Sequence, residues 1–467
     1  MKNTDAIIVF DIGKTNAKLS ALSLDGGASL YSQRTPNKPT LGGLYPHANV
    51  DSLWDWFCEQ CCICAKHFHV RAISITTHGA TIACVNNDGL TLPIMDYEWA
   101  GCESVSESYN RVRPSYDETL SPSLPGGLNV GKQLFWLHRH HPDAFAATEM
   151  VLTYPQYWAW RITGVGVSER TSLGCHTDLW RPVDGQFSSL VSTMNWAPKF
   201  PPIQPTGQVL GPITSEFANT TGLPADCEVV NGIHDSNASL VPYLMDTDPP
   251  FTVVSTGTWV VMASVGAKHS DLDEDFDMLA NVNYQGLATP SARFMGGREW
   301  ELLSGTEPET AADLVKLMQN RVMALPCFSG QGGPFRHQAG TVDTAEHGEL
   351  TESEKTTLAS IYVALMTDYC LTLLGSEGPI TIEGSFAKNS IFLTAIATFR
   401  PTQQVFASID SAGTTPGAAS LYPEFIPATP VNHPPITAPD DPDFKAALTD
   451  YRSRWLKRIL SFVAGSS

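Results

Sequence analysis

Positive charge is scarce in this chain. Against 48 Asp and Glu stand only 29 Lys and Arg, a formal charge of −19 over 467 residues. A surface that acidic argues against nucleic acid or an anionic membrane as partner, because phosphate backbones are met by a net basic face. A nucleotide ligand stays open, since Mg²⁺ and a few local cations override a distant field. Long apolar runs are also missing. No stretch approaches the roughly 18 uncharged apolar residues of a membrane span. Nothing apolar precedes the first strand in Met1-Lys2-Asn3-Thr4-Asp5, so no signal peptide is expected. Ten cysteines in so long a chain are no disulfide framework, and several lie inside apolar segments, which fits a reducing, cytoplasmic compartment. Low-complexity segments and short repeats are absent.

What is present is ordinary globular composition, 42% hydrophobic and 16% charged, in a chain longer than one core supports. Two domains are therefore expected, with the boundary near Pro242 to Pro250. The chain is organised around its first strand. Ala6-Ile7-Ile8-Val9-Phe10 is a continuous, β-branched run that enters Asp11-Ile12-Gly13-Lys14-Thr15-Asn16-Ala17-Lys18 and leaves through a second apolar segment, Leu19 to Leu24. This reads as a hairpin whose first strand is buried on both faces. Its turn gathers a carboxylate, a glycine, a hydroxyl, an amide and two ammonium groups. That set suits a polyphosphate with its metal, although a plain hairpin with a polar tip would read the same way in isolation.

Asp51 to Phe68 predicts a helix capped by Asp51, with Trp54, Phe57, Cys58, Cys61, Cys62 and Ala65 on one face. Four thiols crowded on one helix cannot surround a tetrahedral ion unaided, so Cys58, Cys61, Cys62 and Cys64 read as packing residues. Val70 to Ile75 is the next buried strand, carrying Thr76-Thr77-His78-Gly79 at its end. A turn and a further strand lead to Asp96-Tyr97-Glu98. Polar and aromatic groups at strand ends are where open α/β sheets bind ligands, which makes His78, Gly79, Tyr97 and Glu98 pocket candidates. Cys227 to Asn231 predicts a strand leading to Gly232-Ile233-His234-Asp235-Ser236, with a helix from Ala238. Phe251 to Ser255 opens a second strand, Gly/Thr turn and strand at Thr256-Gly257-Thr258. Thr351 to Leu374 predicts a long amphipathic helix with a Thr351/Glu354 capping box. Strand Ile380 to Ile382 opens onto Glu383-Gly384-Ser385-Phe386-Ala387-Lys388-Asn389. A small-residue loop at 411–416 precedes Gly417-Ala418-Ala419, and a terminal helix closes the chain.

Four of these stretches carry a resemblance: residues 11–18, Gly232 to Ser236, Ser255 to Thr258, and Glu383 to Asn389 with Gly417-Ala418-Ala419. In this order and at these separations the chain resembles the FGGY carbohydrate kinases of the actin/hexokinase/heat-shock ATPase superfamily. The resemblance implies an α/β fold of two ribonuclease-H-like domains, each a mixed central sheet flanked by helices, closing on an interdomain cleft. The domains would be 1–243 (sugar and phosphate side) and 244–440 (nucleotide side), followed by a C-terminal helix at 441–467. It implies ATP and Mg²⁺ as cofactors, with Asp235 as general base. Gly13, Lys14, Thr15, Asn16, Lys18, Gly257 and Thr258 would hold phosphates, and Gly384 and Asn389 the nucleoside. His78, Gly79, Tyr97, Glu98, His234 and Asp235 would read the sugar, and Asp11 with Asp235 would hold Mg²⁺ directly or through water.

The implied activity is ATP-dependent phosphorylation of a primary hydroxyl of a ketose or related sugar. Its expected partners are a small sugar and ATP, with a homodimer left open. Three departures stand out from the family pattern: Lys14 where a small hydroxyl residue is usual, Ser236 where Gln commonly follows the base, and Phe386 in place of a glycine cluster. His78-Gly79 speaks against glycerol, while His234-Asp235 is similar to kinases acting on rhamnulose or fuculose. Two rival readings stay open on the same fold, a catalytically weak sugar-binding regulator and an ATP-driven binding protein.

Overall fold

The computed structural model describes residues 4–344, 347–408, 413–428 and 434–465. Of the loop expected at 411–416, residues 411 and 412 lie outside the described residues. The chain forms two units. One comprises Met1–Asp246, Ala280–Ala288 and Ala412–Pro430; the other comprises Thr247–Leu279, Thr289–Ser411 and Val431–Ser467. Residues 412–430, expected with the second domain, thus count with the first.

In the first unit, strands run in the order Val209–Pro212, Glu228–Val230, His69–Thr77, Asp5–Ile12, Asn16–Ser23, Ser29–Pro36, and the short strand Ile233–His234 also pairs with His69–Thr77. Asp5–Ile12 lies at the centre, parallel to His69–Thr77 and antiparallel to Asn16–Ser23. Side chains alternate across a strand with period two. Ile8, Phe10 and Ile12 therefore enter a core with Phe57, Cys61 and Trp158. Ile7 and Val9 enter another with Ala238, Val241, Ala418 and Ala419. Phe10 stacks on Phe57 at 4.0 Å and meets Trp158 edge-on at 5.3 Å. Burying one such ring contributes about 1.5–3 kcal/mol. The same parity places Asp11 on the Ile7/Val9 face, toward helices Asp235–Ala238 and Thr414–Ala419. A Cβ on Gly417 would lie 1.8 Å from the Ala238 carbonyl, so these two helices touch backbone to backbone.

The helix over residues 50–67 is capped two residues earlier than expected. Asn49, not Asp51, accepts the Ser52 amide, and Asp51 sits in the first turn, where the helix dipole favours its charge. Cys58, Cys61 and Cys64 are buried free thiols, and no metal-competent cluster of His, Cys, Asp and Glu occurs among the described residues. The helix after His234 begins at Asp235 rather than Ala238.

The second unit places strand Phe251–Thr256 antiparallel to Val260–Val265 and parallel to Ile380–Gly384, with Val405–Ser408 beyond. This local pattern repeats that of the first unit. Helix Glu352–Leu373 has the expected capping box, but it is buried on nearly every face instead of one. Helices Gly296–Leu303, Ala311–Gln319 and Ser390–Phe399 pack around it, so only its ends reach solvent. By length and composition it would pass for a membrane span, which the reading of apolar runs did not anticipate; in the structure it is the unit's core helix. The terminal helix Pro442–Gly465 contributes Leu448, Tyr451, Trp455 and Ile459 to the same core.

Candidate functional site

In the first unit the functional side chains sit at the carboxyl ends of the central parallel strands. Asp11, the last residue but one of the first strand, accepts the Thr414 hydroxyl at 2.6 Å. Burial pushes its carboxyl above the usual range. The Thr414 hydroxyl and the Lys18 ammonium oppose that shift, and the nearby Asp235 carboxylate adds to it. Lys18 donates to the Thr415 hydroxyl at 3.3 Å. The turn itself is closed by Gly13 N–H donating to the Asn16 carbonyl at 3.0 Å. Asn37 braces it from the neighbouring strand end, donating its side-chain amide to the Gly13 carbonyl at 2.8 Å and its backbone N–H to the Thr15 carbonyl at 2.9 Å.

Lys14 goes elsewhere. Expected among the phosphate ligands, its ammonium instead pairs with Asp96, lies 3.4 Å from Glu98 and sits 4.5 Å above the Tyr97 ring. It lines a narrow pocket with Asn37, His78, Thr81, Asp96 and Tyr97. His78 is held between Tyr97 and Tyr154, with ring centroids at 5.5 and 5.2 Å. Its Nδ1 lies 3.0 Å from the Gly79 carbonyl, which can only accept, so Nδ1 carries the proton and Nε2 presents a lone pair. Burial lowers the His78 pKa; the Gly79 bond and the Asp235 charge work against that.

Asp235 is the first residue of its helix. Its Oδ1 accepts the Ser236 N–H at 2.6 Å and the Ser236 hydroxyl at 3.2 Å, and lies 3.3 Å from His234 Nε2; Oδ2 takes part in none of these. Burial pushes its carboxyl up, opposed by His78 and the Ser236 bonds. His234 is buried, and burial lowers its pKa to about 4, so the ring is neutral. The backbone N–H of His234 donates to the Thr171 hydroxyl at 3.1 Å. Thr171 is in turn held by Glu169, which is fully buried and caps that turn. A Cβ on Gly79 would come within 2.9 Å of His234 Nε2 and 3.1 Å of Cys175 Sγ, so glycine at 79 makes room for the histidine.

The second unit carries its own pocket, of about 350 Å³, lined by Gly257, Thr258, Gly297, Trp300, Phe386 and Asn389 among others. The Thr256 hydroxyl donates to the Glu383 carbonyl at 2.5 Å and accepts the Phe386 N–H at 3.0 Å, stitching the two corners together. Asn389, expected to contact the nucleoside, spends its amide on structure. Its Oδ1 caps helix Ser390–Phe399 through the Phe392 N–H, and its Nδ2 donates to Ser360. Phe386 is only 5% exposed and packs on Phe392, with ring centroids 5.1 Å apart.

Among the first unit's expected residues, Asp11, Lys18, Asp235, His78 and His234 come together. Thr15 and Asn16 lie at the exposed turn, where Asn16 donates to the Thr15 hydroxyl. Sequence reasoning missed Asn37, Asp96, Thr414 and Thr415. Asn37 and Thr414 lie far along the chain from the groups they touch, and only Asp96, two residues before Glu98, carried a local signal.

Residues 6–242 match the model for the FGGY family of carbohydrate kinases, N-terminal domain, and residues 248–430 match the model for carbohydrate kinase FGGY, C-terminal domain. A carbohydrate kinase from Novosphingobium aromaticivorans has a crystal structure that superposes with a TM-score of 0.89 at 36% identity, covering 99% of each chain. An L-fuculokinase from Salmonella typhi is 25% identical over 271 residues, 55% of this chain and 56% of that protein. A probable L-xylulose kinase from Pasteurella multocida is 24% identical over 241 residues, 49% of each. The alignments span about half the length of these two curated relatives.

Proposed function

Because this chain belongs to the FGGY family of carbohydrate kinases, we propose that it transfers the γ-phosphoryl group of ATP to a primary hydroxyl of a ketose. Both units are read as ribonuclease-H-like, the first taking the sugar and the second the nucleoside. The observation that carries this reading is the meeting of Asp11, Asp235, Lys18 and His78 at one set of strand ends.

The chemistry follows from what each group offers. Asp235 takes the proton of the attacking hydroxyl as its oxygen bonds to the γ-phosphorus, the bond from phosphorus to the β,γ-bridging oxygen breaks, and ADP leaves. With its pKa raised by burial, Asp235 in its ionised form is a better base than a solvated carboxylate. His78 Nε2, bare of its proton, accepts a hydrogen bond from a sugar hydroxyl and so orients the acceptor. Two carboxylates, Asp11 and Asp235, fit Mg²⁺, which binds through one or two carboxylates plus substrate phosphates. That ion would neutralise the phosphate charge. Thr414 and Lys18 hold the Asp11 carboxylate in place to receive it. Positioning and charge supply most of the rate in such a transfer.

The proposed compartment is cytoplasmic. The test is sugar-dependent ADP release across pentuloses, hexuloses and polyols. A burst of ADP with one or a few ketoses is expected. Basal ATP hydrolysis unmoved by every sugar would favour the ATP-driven binding protein instead.

A further inference from the structure

Lys14 is the residue that the sequence leaves unexplained. It stands in the phosphate turn, yet its ammonium is spent on Asp96 and Glu98 above the face of Tyr97. A cation in a sugar pocket would ordinarily invite an anionic ligand, a sugar acid. Here its charge is already matched twice over. Asp96 lines the pocket and Glu98 pairs with Lys14, while Asp235, close to His78 and Tyr97, and Asp11 next to it add two further carboxylates, against the two ammonium groups of Lys14 and Lys18. Burial works against positive charge on both histidines, lowering the His78 pKa and bringing that of His234 to about 4. The same carboxylates bear on the Tyr97 hydroxyl, whose pKa is raised first by burial and then by Glu98, Asp235 and Asp96.

Resting on the kinase reading above, we propose that the Lys14–Asp96–Glu98 cluster sets the substrate class: the pocket takes an uncharged polyhydroxy sugar and rejects aldonates and ketoaldonates. Carboxylates accept only, and a neutral ketose offers a hydroxyl donor at nearly every carbon, so the two sets of groups are complementary. A sugar acid would place a third carboxylate beside Asp96 and Glu98, and like charges in juxtaposition are strongly disfavoured. Lys14 is the specificity-determining residue because it fixes the Asp96 carboxylate in one orientation while having no charge to spare.

The test reads sugar binding to the full chain without nucleotide, by calorimetry and thermal shift. Xylulose, fuculose and rhamnulose are compared with xylonate, gluconate and 2-ketogluconate. The parent should bind a neutral sugar and prefer it over every acid by on the order of a hundredfold. Asp96→Asn with Glu98→Gln frees the Lys14 ammonium and should gain affinity for an acid, by roughly tenfold or more. Adding Lys14→Met should abolish that gain. A gain of binding cannot come from misfolding, and Glu98→Gln alone, on an exposed side chain, serves should the double variant fail to fold. An acid bound by the parent as tightly as the neutral sugars, an unchanged preference in the variants, or no binding by either class overturns the proposal. A neutral sugar that binds without stimulating ADP release would instead defeat the kinase reading and leave this one standing.

Discussion

Replacing Asp235 by Asn separates chemistry from packing with a single atom. The amide keeps the volume, and its oxygen still accepts the Ser236 N–H now held at 2.6 Å. What is lost is a base on the remaining oxygen. A positioned base contributes on the order of 10²- to 10⁴-fold, about 3–5 kcal/mol of barrier. Turnover should fall by that factor, with the sugar dissociation constant within about threefold of the parent, since binding energy here comes from hydroxyl contacts. The pH profiles should differ as well. Turnover needs the ionised carboxylate, so the parent's acid limb lies above the ordinary carboxylate range, and the variant lacks that limb. Stability should move in the opposite direction. A carboxyl whose pKa is raised by folding stabilises the native state only at low pH and loses that contribution as pH rises through the raised value. Once ionised, the buried Asp235 carboxylate is a burden on the fold, and the Asn variant should melt no lower than the parent. ADP release, calorimetry and a melting curve read all three. Near-parental turnover would refute the argument, and so would lost activity accompanied by a large drop in melting temperature, which would make Asp235 a structural cap.

Three further outcomes follow from the same geometry. Gly384 has φ +86° and a Cβ there would lie 2.0 Å from the Thr256 carbonyl; Gly384→Ala should cost about 2–5 kcal/mol and weaken ATP binding, and a melting temperature within about 1 °C of the parent would rule that out. Thr414→Val removes the hydroxyl held by Asp11, so the Mg²⁺ concentration for half-maximal activity should rise roughly tenfold, read by Mg²⁺ titration of ADP release. Glu354 is pushed up by burial but more than offset by the Lys316 ammonium, the Thr351 amide and the His347 ring, which hold it at about 2. Its stabilisation is present above the ordinary carboxylate value and lost as pH falls toward 2, so Lys316→Met should move the acid unfolding midpoint upward in a circular-dichroism titration.

The sequence by itself determined the parts whose physics is local. A β-branched run, a Gly-Lys-Thr turn and an acidic residue at a strand end specify the central hairpin and place Asp11 there. The Thr351/Glu354 capping box is likewise written in four consecutive residues. Tertiary structure alone decided what each polar group finally faces. Lys14 has the composition of a phosphate ligand, but its ammonium pairs with Asp96 and Glu98, more than eighty residues away in the chain. Asn389, which lines the second unit's pocket, also caps a helix, its Oδ1 accepting the Phe392 N–H that the helix itself leaves without an acceptor. Thr414 reaches Asp11 across 403 residues of sequence. Helix Glu352–Leu373 looks amphipathic until three neighbouring helices enclose it. Backbone preference is settled within a few residues, whereas a charged side chain goes to whichever partner the fold brings nearest.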